Sequence, residues 1–237
     1  MSSSPASSPL FVYVMPLWRY LAGDAPGAAR AGAATGDPQR RAIQPTRAKL
    51  FVRHLRRGFH GLTRGAGRWR DEGEAVFALP FDVDAWRGLQ AFAADQQYPL
   101  PTFHFGRHAD RHRGLRAVWD GAHSAYVHLI KHHANRGFYL PIDFARPIEI
   151  ATGRGGDDDE DDGDATVIAG SSVRLLRELN LLGPRIGMDR DLGELADAGE
   201  PFALRSEPLA RVKYGWAFMR HVTRLSVQHR LPIIFDG

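Results

Sequence analysis

Histidine is the residue type whose spacing in this sequence is most typical of a metal site. The histidines between residues 104 and 133 are His104, His108, His112, His123, His128, His132 and His133. Several are four residues apart, and residues at i and i+4 share one face of a helix, as the ligands of helical zinc sites do. The candidate ligands are His108, His112, His128 and His132. A metal held there would activate water, so one interpretation is a metal-assisted hydrolase that uses the His104–His133 cluster.

The residues around these histidines also fit a purely structural role. The motif H-E-x-x-H is missing, and no acid stands between the histidine pairs where it would assist a metal. Pro101 and the alternation of Phe103 with Phe105 favour a strand at His104 instead of a helix. His133 falls on the apolar face of a predicted helix, where a hydrogen-bonded core histidine is the ordinary interpretation. Both alternatives therefore remain open.

Motifs for other kinds of catalysis are absent from the sequence. There is no cysteine, which excludes a thiolate nucleophile and a cysteine-ligated zinc site, and G-x-S-x-G, G-x-G-x-x-G and the P-loop do not occur. Ser171 or Ser172 stands where a predicted strand passes into a predicted helix, and we expect a helix cap there instead of a nucleophile. Asp143 and Glu149 have the outline of a nuclease pair, but Ala151 occupies the position that needs a lysine. We expect no cofactor.

Charge is distributed unevenly along the chain. The formal net charge is +4, yet the eight residues from Asp157 to Asp164 contain seven acids, so the remainder carries +11. The segment from Arg40 to Arg70 holds ten basic residues and no acid, and such a segment attracts polyanions or an acidic protein surface. The acidic run could also mask this basic segment. The candidate partner-binding residues are Arg53, Arg56, Arg57, Asp158, Asp159, Glu160 and Asp161.

Length and composition predict one globular domain. A chain of 237 residues with 43% hydrophobic and 24% charged residues is typical of a single large domain. No apolar run approaches the roughly 18 residues that span a bilayer, and no basic leader precedes the apolar N-terminal stretch. We therefore expect a soluble, cytoplasmic protein without a membrane span. The excess of arginine over lysine, together with abundant alanine and glycine, indicates a bacterial source.

Hydrophobic periodicity predicts two long helices, over about 113–135 and 208–230. A third, basic and amphipathic, is predicted from residue 46 to about residue 60. The predicted strands are 10–15, 74–81, 138–144, 147–152, 166–169 and 231–235. The sequence Leu-Pro-Ile follows a predicted helix twice, at residues 140–142 and 231–233, which favours equivalent strands in one sheet.

These elements predict an α/β or α+β fold class. We expect a single domain over residues 1–237, in which a central mixed sheet is packed by the two long helices. Residues 1–9 are predicted to form a flexible tail and residues 22–46 a long loop or insertion. Residues 153–165 are predicted to be a disordered acidic loop, because like charges repel and glycine is costly to order.

Three segments of the C-terminal half carry a resemblance to a known class of protein. The segments RLSVQHRLPIIFDG, GFYLPIDF and GSSVRLLREL, within roughly the last 120 residues, resemble uncharacterised bacterial proteins encoded beside polymorphic toxins, which are of the immunity type. The resemblance implies a protein that neutralises a cognate toxin by direct binding. Immunity proteins for nucleases are commonly acidic, whereas the body of this chain is basic, so the acidic run would have to supply the complementary surface.

The sequence therefore predicts a non-enzymatic binding protein with a protein partner. Two alternatives are kept. The first is the metal-assisted hydrolase, and the second is a nucleic-acid-binding protein that uses the Arg40–Arg70 basic segment.

Overall fold

The computed structural model describes seven parts of the chain. They are residues 10–25, 43–62, 68–100, 111–133, 137–151, 166–197 and 209–236. The predicted flexible tail at residues 1–9 and the predicted acidic loop at residues 153–165 lie outside the described residues, as does most of the predicted loop at residues 22–46.

The centre of the protein is a six-stranded mixed sheet. Its strands are β1 (Leu10–Val14), β2 (Phe77–Phe81), β3 (Phe138–Leu140), β4 (Ile148–Ala151), β5 (Thr166–Ser171) and β6 (Ile233–Asp236). Their order across the sheet is β2-β1-β6-β3-β5-β4. Strands β3 and β5 are parallel, and the other neighbouring pairs are antiparallel. The predicted single-domain fold class with a mixed central sheet is confirmed.

Helices cover both faces of this sheet. In chain order they are α1 (Leu17–Leu21), α2 (Pro45–Leu62), α3 (Val83–Asp95), α4 (Arg113–Trp119), α5 (Val127–Ile130), α6 (Ser172–Leu182), α7 (Leu192–Asp197) and α8 (Ala210–His229). A 3₁₀ turn, Gly183–Ile186, follows α6 directly. Within the described residues, no helix is long and apolar enough to cross a membrane.

Alternate residues of a strand point to opposite faces, and this divides the interior into two cores. The larger core takes Val12, Tyr139 and Phe235 from the sheet and packs them against α3, α6 and α8. The smaller core takes the neighbouring residues of the same strands and packs them against α1 and α2, with Val52 and Phe59 as buried contacts from α2. The basic helix α2 is thus held by its apolar side, and its other side faces outward.

Helix α8 confirms the second predicted long helix. It is buried along much of its length and packs against both α3 and α6. The approach to α3 requires a residue without a side chain, because a Cβ at Gly215 would lie 2.6 Å from the carbonyl oxygen of Ala85. The helix ends at His229, and its C-cap residue Arg230 takes a left-handed conformation (φ 56°) three residues before β6 begins.

The first predicted long helix, over 113–135, is wrong as a continuous element. The structure has two short helices, α4 and α5, separated by a turn that contains Gly121 in a conformation with φ 106°. The apolar spacing continues across the break because Val118, Tyr126 and Leu129 all enter the larger core. Periodicity therefore identified the buried residues and could not show that the backbone turns between them.

The pairing of the Leu-Pro-Ile segments is partly as predicted. Strands β3 and β6 are neighbours, with Phe138 opposite Ile234, so both segments belong to one sheet. They run antiparallel, and Pro141 lies just after its strand whereas Pro232 lies just before the other. The predicted strands 138–144 and 147–152 follow each other in the chain but do not pair, because β5 lies between β3 and β4 in the sheet.

Candidate functional site

The described histidines of the predicted metal site serve as structural residues. His112 is buried at the start of α4, where its Nδ1 accepts a hydrogen bond from the N–H of Gly114 at 3.1 Å and its Nε2 lies 3.2 Å from Asp95 Oδ1. The Nδ1 of His128 accepts from the N–H of Ser171 at 3.0 Å. His132 stacks on the Tyr139 ring, with centroids 4.1 Å apart. His108 lies outside the described residues.

Burial fixes the charge state of two of these histidines. Loss of solvent lowers the pKa of His128 to about 4 and that of His132 to about 3, so both imidazoles are neutral at physiological pH. Neutral imidazole can bind metal, but within the described part of the chain no group of three or more histidine, aspartate or glutamate residues is arranged to hold an ion. The arrangement of the described histidines therefore does not support the predicted metal-assisted hydrolase.

A buried carboxyl completes this polar cluster. Glu178 on α6 accepts the N–H of His128 at 3.0 Å through Oε1 and the N–H of Leu129 at 2.8 Å through Oε2, which satisfies the free donors at the start of α5. Burial raises the pKa of Glu178 to about 8. The hydroxyl of Tyr139 donates to the carbonyl of His128 at 2.8 Å. The cluster therefore joins α5, α6 and β3, although the Nε2 atoms of His128 and His132 are buried without a hydrogen-bond partner among the described residues.

Ser171 is a helix cap, as predicted. Its Oγ accepts the N–H of Arg174 at 3.1 Å, at the first turn of α6, and donates to the carbonyl of Ile142 at 2.6 Å. The residue is fully buried. It therefore links the end of β5 to the segment that follows β3, and no nucleophilic role is needed to explain it.

Replacing Ser171 with alanine is expected to lower the free energy of unfolding by about 1–3 kcal/mol. The change removes a cap and leaves the buried carbonyl of Ile142 without its donor. Denaturant unfolding followed by circular dichroism would measure the loss. Asp82→Ala is the control, since Asp82 caps α3 from an exposed position and should cost less. A Ser171→Ala variant as stable as the wild type would contradict this assignment.

The open side of α2 borders a cavity of about 510 Å³. We call it the arginine groove. Its lining residues are Arg53, Arg56, Arg57, Phe59, His60, Arg68, Trp69 and Ile142. The apolar members form its inner wall, with the rings of Phe59 and Trp69 edge to face at 6.1 Å. The groove thus places a cationic rim around an aromatic and aliphatic wall.

The three candidate arginines of α2 differ in how firmly they are held. Arg56 forms an ion pair with Asp71 at 2.6 Å, donates to the Trp69 carbonyl and lies over the Trp69 ring. Arg53 and Arg57 are exposed and, within the described residues, form no ion pair. Arg56 therefore fixes the shape of the groove, and Arg53 and Arg57 offer free charge to a ligand.

Sequence reasoning missed two members of the arginine groove. Arg68 was counted only as one charge of the basic segment and Trp69 was not singled out, because nothing local in the sequence shows that the chain returns to α2 there. The signal that could have been used was the proximity of Trp69 to Asp71, which is the first acid after the arginine-rich segment. Glu178 was also missed, although it lies between Leu175 and Leu179 on the apolar face of α6.

Many acids of the described part are paired with the protein's own arginines. Asp143 contacts Arg174 at 2.5 Å and Arg177 at 2.9 Å, and Asp84 pairs with Arg211 at 3.3 Å. A further network joins the start of α7 to α8 through Asp191, Glu194, Arg220 and Arg224. These carboxylates are not available to form an acidic surface.

The predicted acidic partner-binding residues, Asp158, Asp159, Glu160 and Asp161, lie outside the described residues. Their place in the chain is nevertheless defined by the strands on either side. Strands β4 and β5 pair antiparallel with Ala151 opposite Thr166, so residues 152–165 connect adjacent strand ends at one edge of the sheet. Strand β4 is the last strand in the sheet order.

Comparison with known proteins identifies a protein family. A protein-family model described as "Putative DNA-mimic protein" matches residues 10–235. No curated protein and no solved structure matches the chain. The family matched is not a polymorphic-toxin immunity family, so the resemblance to immunity-type proteins drawn from the C-terminal segments is wrong, and with it the prediction of toxin neutralisation.

Proposed function

Because the chain belongs to the family described as "Putative DNA-mimic protein", we propose that it is a protein-binding protein whose partner is a DNA-binding protein. Binding would take place at the surface with which that partner contacts DNA. A mimic of this kind would inhibit DNA binding by competition, since the partner cannot hold DNA and the mimic at the same site.

The acidic run from Asp157 to Asp164 is the part of the chain whose charge density suits this role. Each strand of duplex DNA carries one charge per about 3.4 Å of the helix axis. Successive residues of any extended chain are about 3.3 Å apart, so seven acids in eight residues would give a comparable linear density in that conformation. This match in charge spacing is the observation that carries the proposal.

The described part of the protein contains no acidic run of comparable length. Its ion-paired acids, such as Asp143 and Asp191, are neutralised by arginines of the same molecule. The arginine groove is positively charged, as is the surface with which a DNA-binding protein contacts DNA, so the two would repel each other. We therefore assign partner contact to Asp158, Asp159, Glu160 and Asp161, with electrostatic attraction as the main source of fast association.

A competition experiment tests the proposal. DNA-binding proteins from the cell that produces this chain are loaded on immobilised duplex DNA and eluted with the purified chain at low salt. An eluted protein is then purified, and its binding to a labelled duplex is measured against increasing concentrations of the chain. We expect stoichiometric displacement of the duplex, weakening as salt rises.

Two variants provide the controls for that competition. In the first, the seven acids of residues 157–164 are changed to Asn or Gln, and we expect displacement to weaken by about 100-fold or more. In the second, four exposed acids elsewhere are neutralised: Glu72→Gln, Glu74→Gln, Asp120→Asn and Glu149→Gln. This variant should displace DNA as the wild type does. Equal displacement by the first variant, or none by the wild type, would refute the proposal.

A further inference from the structure

The arginine groove is the most strongly charged feature of the described protein that the proposed function does not use. Arg53 and Arg57 are one helical turn apart on α2, and Arg68 lines the same groove from the segment that follows α2. None of the three forms an ion pair within the described residues, whereas arginines elsewhere, such as Arg174 and Arg224, are paired. Free guanidinium groups around a cavity of about 510 Å³ are suited to a segment that carries several carboxylates.

We propose that the arginine groove binds the acidic run, Asp157–Asp164, of the same chain. The first argument is charge complementarity. The run is the densest acidic segment of the sequence, and the basic segment that contributes α2 has no acid of its own between Arg40 and Arg70. Asp71 neutralises only Arg56, so the groove keeps an excess of positive charge that a multivalent anionic segment can satisfy.

The second argument is reach. Strand β5 begins at Thr166, directly after the connection that contains the acidic run, and ends at Ser171. The hydroxyl of Ser171 contacts the carbonyl of Ile142, which lines the groove. That strand spans about 17 Å. The middle of a 14-residue connection between Ala151 and Thr166 can extend about 24 Å from either end. The first part of the acidic run, near Asp158, can therefore reach the groove wall of its own chain.

The third argument is the advantage of a tethered ligand. A segment held to the same molecule by a short connection is present at an effective concentration of about a millimolar or more, so individually weak ion pairs suffice for binding. Taken with the proposed function, this contact would hold the acidic run away from a DNA-binding partner until a stronger basic surface competes for it. The contact itself does not depend on the identity of that partner.

The test measures binding of a free peptide with the sequence of residues 153–165. The protein used is the variant whose seven acids at 157–164 are changed to Asn or Gln, so that its groove is empty of its own ligand. We expect this variant to bind the peptide at about 50 mM salt and to lose it as salt rises. The wild type should bind at least about tenfold more weakly, because its own run competes.

Charge-reversed variants locate the binding site. Arg53→Glu with Arg57→Glu, made in the neutralised background, should abolish peptide binding. Arg113→Glu with Arg116→Glu makes the same change of charge on exposed positions of α4 and should leave binding in place. Circular dichroism would show that each variant is folded.

Four results would overturn the inference. The first three are no peptide binding to the neutralised variant, equal binding to that variant and the wild type, and equal loss in both charge-reversed pairs. Tighter binding of a ten-nucleotide DNA strand than of the peptide would also overturn it, because the groove would then be a nucleic-acid site. Since no DNA-binding protein takes part in this test, its failure is separate from failure of the proposed function.

Discussion

Three buried groups are expected to make the free energy of unfolding greatest near pH 6.5, with lower values at more acidic and at more alkaline pH. These groups are His128, His132 and Glu178, which lie together between α5, α6 and β3. Burial lowers the pKa of the two histidines and raises that of the glutamate. The histidines act on the acid side and the glutamate on the alkaline side.

On the acid side, protons bind to the unfolded chain before they bind to the folded protein. An unfolded histidine takes up a proton as the pH falls through 6.5, whereas His128 resists until about pH 4 and His132 until about pH 3. Each proton bound only by the unfolded state costs about 1.4 kcal/mol per pH unit. The stability that the neutral histidines provide is therefore present above pH 6.5 and is lost on acidification.

Glu178 gives the opposite dependence. Its carboxyl holds a proton in the folded protein up to about pH 8, whereas an unfolded glutamate has lost it above about pH 4.5. Between those values the folded state binds one more proton, so stability decreases as the pH rises. From pH 4.5 to 6.5 the two histidines outweigh the one glutamate, and above pH 6.5 the glutamate acts alone.

Urea unfolding of matched variants at several pH values would separate these contributions. His132→Phe keeps a ring on Tyr139 and should reduce the acid-side slope by about 1.4 kcal/mol per pH unit between pH 6.5 and 4. Glu178→Gln keeps the shape of the cap and should flatten the decline between pH 6.5 and 8. If either variant gives a profile parallel to that of the wild type, its group does not titrate as the structure indicates.

The sequence predicted the sheet better than it predicted the connections. Strands such as Leu10–Val14 and Ile233–Asp236 combine β-forming residues with flanking proline or turn residues, and such signals are local. The cap at Ser171 was predictable for the same reason, since a hydroxyl between a strand and a helix has few other uses. Local chemistry therefore sufficed where neighbouring residues decide the structure.

Prediction failed where distant segments decide the structure. The turn at Gly121 interrupts an apolar pattern that continues because both short helices face one core. Strand β5 is inserted between β3 and β4 after a connection of 14 residues, and no local feature of that connection shows which strands β5 pairs with. The arginines of α2 were found by their charge, but Arg68 and Trp69 reach the same groove only through folding. Long-range pairing is what a single sequence does not display.

Replacing Trp216 with alanine is expected to lower the free energy of unfolding by about 3–5 kcal/mol. The side chain is 1% exposed in the larger core and lies directly over Gly183, where an added Cβ would be 2.6 Å from the ring. Its Nε1 donates to the carbonyl of Leu179 at 2.7 Å. The change thus opens a cavity between α6 and α8 and removes one of two donors to the carbonyl of Leu179, which also accepts the N–H of Gly183.

Trp119→Ala is the control for this change, because it removes the same side chain from a partly exposed position at the end of α4. Its ring stacks on His133 with centroids 4.6 Å apart, so we expect a loss of about 1 kcal/mol from that contact. Equilibrium denaturation of both variants at pH 6.5 would give the two values. Helix α8 joins α3 to α6, so loss of Trp216 should reduce the stability of both sides of the larger core together. Equal losses in the two variants would show that α8 is not the central element of the fold.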